Sequence, residues 1–190
     1  VMANQRQALV LSCEVSGEEP LPGARYNAEK LSKFFRRTNV PCRCVYGGSL
    51  TSGRAKEDIN HFFSTHCDVH ILYGLFHGFQ GFWKLSDGAI LGLRDILEPW
   101  DLAKQLGTAQ QLLIVSDACE SGCMVDEATS QARPDVAVQA SCASRSRSSD
   151  MVGETFTEYL LWNLKGRTTA NKRGIDMLLH IERALLTLGP

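Results

Sequence analysis

The 190-residue chain is predicted to fold as an α/β protein, a mostly parallel sheet sandwiched by helices. Three observations predict it. Short apolar runs alternate along the chain with stretches whose apolar residues recur every three or four positions, the pattern of strands joined by crossover helices. Leu112 to Val115 is an unbroken apolar run within 112–118, and 68–74 (DVHILYG) is a second strand-like run. Such strands are buried on both faces, which requires a sheet covered on both sides. Gly- and Pro-rich loops punctuate the alternation, as at 16–23 (SGEEPLPG).

The elements follow in order. Residues 7–13 (QALVLSC) read as the first buried strand. Ala24, Ala28, Leu31, Phe34 and Phe35 then form one stripe on a helix over 24–38 that lies against the sheet. Residues 41–46 make a short strand closed by Gly47-Gly48. Ile59, Phe62 and Phe63 mark the inner face of a second helix, with Thr51 or Ser52 as its cap. After the 68–74 strand, Pro99 is expected as the first residue of a third helix that runs to Leu106, with Gly107 as its stop. Residues 112–118 are the central strand and 137–142 a further one. Phe156, Tyr159, Leu160 and Leu161 define another helix, and Ile175, Leu178, Leu179, Ile181, Leu185 and Leu186 a last one. The segment 141–150 (SCASRSRSSD) is polar and serine-rich.

Composition bounds the function. At 44% hydrophobic, the chain can bury a full core as one domain over 1–190. Its formal net charge is -1, from 20 basic and 21 acidic residues that are interspersed, which argues against nucleic acid or an anionic membrane as the partner. No 18-residue apolar run offers a membrane span. The start lacks an apolar signal region and has Val before Met2, which reads as a piece of a longer protein, with an activating domain or partner outside it. Seven cysteines, an odd number at irregular spacing, point to free thiols in a reducing, cytoplasmic compartment. Neither Cys42-Arg43-Cys44 nor the Cys119 to Cys123 spacing has the paired form of a zinc site, so neither a metal site nor a cofactor is expected.

The chemistry concentrates at the end of the central strand, in Asp117-Ala118-Cys119-Glu120-Ser121-Gly122. A lone cysteine at a strand end is most often a small core hydrophobe. The strand 68–74, however, runs into Leu75-Phe76-His77-Gly78, which puts His77 and Cys119 at equivalent ends of two strands. Ligands of open parallel sheets bind beyond those ends. A thiolate attacks a carbonyl well, and a neighbouring imidazole both lowers the thiol pKa and protonates a departing amine. The other histidines, His61, His66, His70 and His180, read as structural.

These residues resemble the caspase-like cysteine peptidases, the group of caspases, metacaspases and paracaspases. Asp117 to Gly122 is similar to the metacaspase form D-x-C-x-S-G, more than to the caspase form Q-A-C-[RQG]-G, and the histidine lies upstream at a similar spacing. Residues 82–88 (FWKLSDG) are similar to the short hairpin that follows the histidine in this superfamily. The likeness runs from about Gln7 to Leu188. It implies a caspase-like sheet and a cysteine endopeptidase acting on proteins or peptides, with Cys119 as nucleophile and His77 as acid/base group. It further implies an oxyanion hole from the N–H groups of Gly78 and Cys119; a glycine there lets a substrate carbonyl approach the main chain.

The resemblance also implies that Asp117 lines the pocket for the residue before the cut and selects Arg or Lys. A carboxylate beside a thiolate is costly, so Asp117 points to a cationic ligand, although a strand-end acid can instead pair with a loop Lys or Arg. Aligned on Leu21-x-Gly23 and Asn27-Ala28-x-x-Leu31, Asn27 stands where metacaspases have a second pocket acid. A neutral amide oxygen still accepts from a guanidinium. Leu75-Phe76 replace the usual small and polar residues before the histidine. Against basic specificity, Arg145 and Arg147 would grip a carboxylate and favour cleavage after Asp.

Residues 124–134 match the position of the linker that caspases cut on activation. Arg133 is followed by Pro134, so Arg145, Arg147 or Lys165 would be the better sites of self-cleavage. Asp126 and Glu127 are too few to argue for the calcium site that some metacaspases use. Two other classes stay open: a caspase-like regulatory or scaffold domain with an incompetent pocket, and an α/β binding domain with a coincidental cysteine. Cell death, immune signalling and virulence proteins all use this fold, and fold does not choose among them.

Overall fold

A parallel sheet forms the centre of the structure, a computed structural model that describes residues 5–15, 17–148 and 155–168, with 163–168 described for backbone alone. Its elements are β1 (Arg6–Ser12), α1 (Pro22–Arg37), β2 (Cys42–Tyr46), α2 (Ser52–Ser64) and β3 (Cys67–Leu75). There follow β4 (Gly78–Phe79), β5 (Phe82–Lys84), β6 (Ile90–Leu91), α3 (Leu93–Gln105), β7 (Ala109–Asp117), α4 (Gly122–Ser130), β8 (Val136–Ala140) and α5 (Phe156–Thr168). The main sheet has the order β2-β1-β3-β7-β8, and all four pairings are parallel. A small antiparallel sheet, β4-β5-β6, follows β3. Residues 82–88 supply β5 and the Asp87-Gly88 turn that leads toward β6, with a left-handed φ of 77° at Gly88.

Alternation along the strands divides the core into two layers. Leu9, Leu11, Leu72, Leu112 and Ile114 face α2 and α3, with Trp100 and Met124 in the same layer. Ala8, Val10, Ile71, Tyr73, Leu113 and Val115 face α1 and Leu161 of α5. The sheet is therefore covered by helices on both sides, as strands this apolar require.

Local chemistry explains the element boundaries. Pro22, whose fixed φ suits the first helical turn, opens α1. Thr51 caps α2, its hydroxyl accepting from the Arg54 N–H at 3.4 Å. The third helix differs from expectation: Pro99 lies inside α3, which begins six residues earlier at Leu93. There the Gly92 N–H donates to the Asp95 carboxylate at 3.0 Å, and the buried stripe of Leu93, Ile96, Leu97, Trp100 and Ala103 runs through the proline. Burial of that stripe outweighs the roughly 3 kcal/mol that an interior proline costs.

The segment resembling a cleavable linker is also ordered differently, since Gly122–Ser130 forms α4. Its apolar periodicity is weak because few of its side chains are buried, Met124 alone among the large ones. The strand expected over 137–142 is β8, set one residue earlier by its register with β7. Ser141 leaves the ladder to bond back toward the β7 end. The helix expected around 175–186 lies outside the described residues, as does His180.

Candidate active site

The strand order reverses between β1 and β3: β2 lies on one side of β1, and β3, β7 and β8 follow on the other. At such a switch point the loops leaving neighbouring strands diverge and open a crevice. A cavity of about 450 Å³ opens there, lined among others by Glu18, Asn27, His77, Gly78, Asp117 and Cys119. All five sequence-predicted site residues border this one cavity.

Register brings the two reactive side chains together. Leu75 of β3 lies opposite Asp117 of β7. His77 and Cys119 each stand two residues beyond that matched pair. Past the ladder the two loops are tied: the Phe76 N–H donates to the Asp117 carbonyl at 3.3 Å. The Gln80 N–H donates to the Glu120 carboxylate at 2.8 Å. Gln80 and Glu120 both hold left-handed φ, 50° and 53°, which non-glycine residues adopt only under constraint. The Glu120 N–H in turn donates to the Ser146 carbonyl at 2.8 Å.

Glycine is required between the loops. A Cβ on Gly78 would fall 2.1 Å from the Cys119 carbonyl oxygen and 2.9 Å from its nitrogen. Gly122 is equally confined, its missing Cβ 2.5 Å from the Ser144 nitrogen. The N–H of Cys119 has no acceptor among the described residues, so it is free to receive one from a ligand. Phe76, unexpected before the histidine, is buried and stacks on Trp83 with centroids 4.9 Å apart. Trp83 donates from its indole N–H to the Ser116 hydroxyl at 2.8 Å. This anchors the small sheet to β7 beneath the site.

His77 and Cys119 do not hydrogen-bond each other. Nε2 of His77 lies 2.7 Å from the Glu19 carbonyl, and Nδ1 lies 3.8 Å from the Glu18 carboxylate. The Cys119 Sγ is 3.9 Å from the Ser148 carbonyl. All seven cysteines are free. Burial pushes the thiols of Cys13 and Cys44 up to about 11 and that of Cys42 to about 12, and raises that of Cys67. Those four are poor nucleophiles.

Asp117 is buried, and no cation pairs with it among the described residues. One carboxylate oxygen accepts from the Ser148 hydroxyl at 2.9 Å. The other accepts from the Thr157 hydroxyl at 2.6 Å and the Thr157 N–H at 3.3 Å. Burial pushes its pKa above the usual carboxylate range, against the downward pull of these donors. Asn27, also buried, donates to the Thr155 hydroxyl at 2.8 Å, while its carbonyl oxygen has no partner. The cavity floor thus carries a buried carboxylate and an orphaned acceptor. Arg147 lines the same cavity and is exposed.

Several residues here escaped the sequence reading: Glu18 and Glu19 from the β1 to α1 loop, Ser148, and Thr155 and Thr157 at the start of α5. For the last pair a signal existed. Thr155-x-x-Glu158 is a capping box, with the Glu158 N–H donating to the Thr155 hydroxyl at 3.2 Å, and it marks a helix start that faces Asp117. Among the described residues no group of three or more His, Cys, Asp or Glu side chains could hold a metal. Asp126 accepts from the Ser144 hydroxyl instead. No helix of the described residues is long and apolar enough to cross a membrane. No protein-family model and no curated protein matches the chain.

Proposed function

We propose that this chain is a caspase-like cysteine endopeptidase that cleaves proteins after Arg or Lys. The observation that carries this reading is the matched register at Leu75 and Asp117, beyond which His77 and Cys119 border one cavity. In the proposed mechanism His77 takes the Cys119 proton, and the thiolate attacks the carbonyl carbon of the bond to be cut. The developing oxyanion is met by the N–H groups of Cys119 and Gly78. His77 then returns the proton to the leaving amine, and water, activated by the same imidazole, releases the acyl group from sulfur.

Basic specificity follows from the cavity floor. A guanidinium or ammonium would supply the cation that buried Asp117 lacks and a donor for the orphaned oxygen of Asn27. The three donors already on Asp117, from Ser148 and Thr157, would help to keep it ionised. No cofactor takes part in this mechanism. The odd number of free cysteines supports a reducing, cytoplasmic compartment, and an activating domain or partner outside this chain belongs to the same proposal.

A second reading rests on Arg147, which borders the cavity and has no ion pair among the described residues. It would receive an Asp side chain and turn the preference to acidic sites. Cleavage of a peptide library by this chain beside Cys119→Ala separates the readings. Products ending in Arg or Lys that vanish in the variant support the proposal. Products ending in Asp retain the dyad and reassign the pocket. No cleavage by a folded chain, with calcium or without, supports a regulatory or scaffold domain.

A further inference from the structure

The cavity holds a charge that the dyad mechanism does not use. Both ring nitrogens of His77 face the loop between β1 and α1. Nε2 is 2.7 Å from the Glu19 carbonyl, and a carbonyl only accepts, so Nε2 carries a proton. Nδ1 is then the nitrogen that takes up and releases a proton during reaction. Beside it, at 3.8 Å, is an oxygen of Glu18. The other oxygen of Glu18 accepts from the Lys84 ammonium at 2.6 Å. Lys84 is itself held by β5, its N–H donating to the His77 carbonyl at 2.9 Å. The hairpin that follows the histidine therefore also fixes the carboxylate.

Other charged groups line the same cavity, and two of them are already hydrogen-bonded. Asp117 takes hydrogen bonds from Ser148 and Thr157. Glu120 accepts from the Gln80 N–H. Glu19 and Arg147 also line the cavity, with exposed side chains and no ion pair to His77 among the described residues. Cys119 lines the same cavity.

We propose that Glu18 is a positioning residue for the dyad: clamped by Lys84, its carboxylate holds the His77 imidazolium that pairs with the Cys119 thiolate. This rests on the dyad reading above. An anion this close to Nδ1 favours the protonated ring. Lys84 keeps Glu18 ionised, holding its carboxyl below the usual range. Glu18 and His77 are 35% and 17% exposed, so solvent screens part of the attraction.

The test is iodoacetamide alkylation of Cys119, followed from about pH 4 to about pH 10 by mass spectrometry of its peptide, in the wild-type chain, Glu18→Gln, Glu18→Asp and His77→Ala. A thiolate-imidazolium pair gives two steps, one where the thiolate forms and one where the imidazolium loses its proton. In Glu18→Gln the upper step falls by about half a unit to one unit while the lower step holds. Glu18→Asp, which keeps the charge, recovers part of that shift. If His77→Ala removes the lower step and Glu18→Gln overlays the wild type, the role of Glu18 is overturned and the dyad stands. A single step in the wild type that His77→Ala leaves unchanged overturns the dyad and, with it, the role of Glu18.

Discussion

The carboxylate of Asp117, at the end of β7, accepts from both the hydroxyl and the amide of Thr157, 40 residues on in the first turn of α5. The carboxyl group therefore sits at a helix N-terminus, where free N–H groups and the helix dipole favour its ionised form. The Thr157 hydroxyl also meets the hydroxyl of buried Tyr73 at 2.7 Å, which ties the pocket to the sheet beneath it.

If Asp117 must be ionised to bind a basic side chain, Thr157→Val will act through pH. Burial already pushes the Asp117 carboxyl up, and Thr157 pulls it down. Loss of that donor raises the pKa further, so the acid limb of kcat/KM for an Arg substrate moves to higher pH, with activity recovered well above it. Asp117→Asn has no such recovery: it removes the charge at every pH and lowers kcat/KM for Arg substrates by about 10²- to 10³-fold, the scale for truncating one partner of a buried charge pair. Initial rates against pH with one Arg peptide distinguish the two.

Gly78→Ala tests the fit between the two loops. The added methyl would lie 2.1 Å from the Cys119 carbonyl oxygen, so the histidine loop must move away. Losing one oxyanion donor costs about 10²- to 10³-fold in kcat. The expected outcome is a fall of at least that size with His77 and Cys119 both present. A chain that retains near wild-type kcat would show that Gly78 lies outside the oxyanion site.

Phe76→Ala separates anchoring from chemistry. The ring is buried and stacked on Trp83, which bonds Ser116, so its removal leaves a cavity under the small sheet. The expected cost is about 3 to 5 kcal/mol of stability, measurable by urea unfolding. Its apolar place before His77 needs no catalytic explanation.

How much of this was legible in the sequence depends on whether the cause is local or lies across space. The strand-like runs at 68–74 and 112–118 carry Val69, Ile71 to Tyr73 and Leu112 to Val115 because β3 and β7 are central, so the ends that carry His77 and Cys119 could be anticipated. The start of α3 could not be read from Pro99 alone, because the stripe of Leu93, Ile96 and Leu97 decides it from the other side of the proline. Helix α4 has too narrow a buried face to show a period. Glu18 and Glu19 meet His77 58 to 59 positions away in sequence, and only the switch in strand order brings them there. Nor does any local feature of Asn27 announce that its carbonyl oxygen is left without a partner.

His70 supplies the last prediction, on stability. Its ring lies in β3, edge-on to Phe62, Phe63 and Trp100, with Nε2 3.2 Å from the Thr65 carbonyl and Nδ1 unpartnered. Burial pushes its pKa down to about 4. The folded chain therefore keeps His70 neutral while the unfolded chain binds a proton below its ordinary value of about 6.5. Unfolding then takes up a proton between those two values, so stability is full above the unfolded value and declines as pH falls toward the folded one. The decline across that window is on the order of 3 kcal/mol at 1.36 kcal/mol per unit. His70→Phe removes the titration from the aromatic cluster. Its unfolding free energy, measured in urea at several pH values, should lose that part of the acid slope; an unchanged slope would assign the acid sensitivity to other groups.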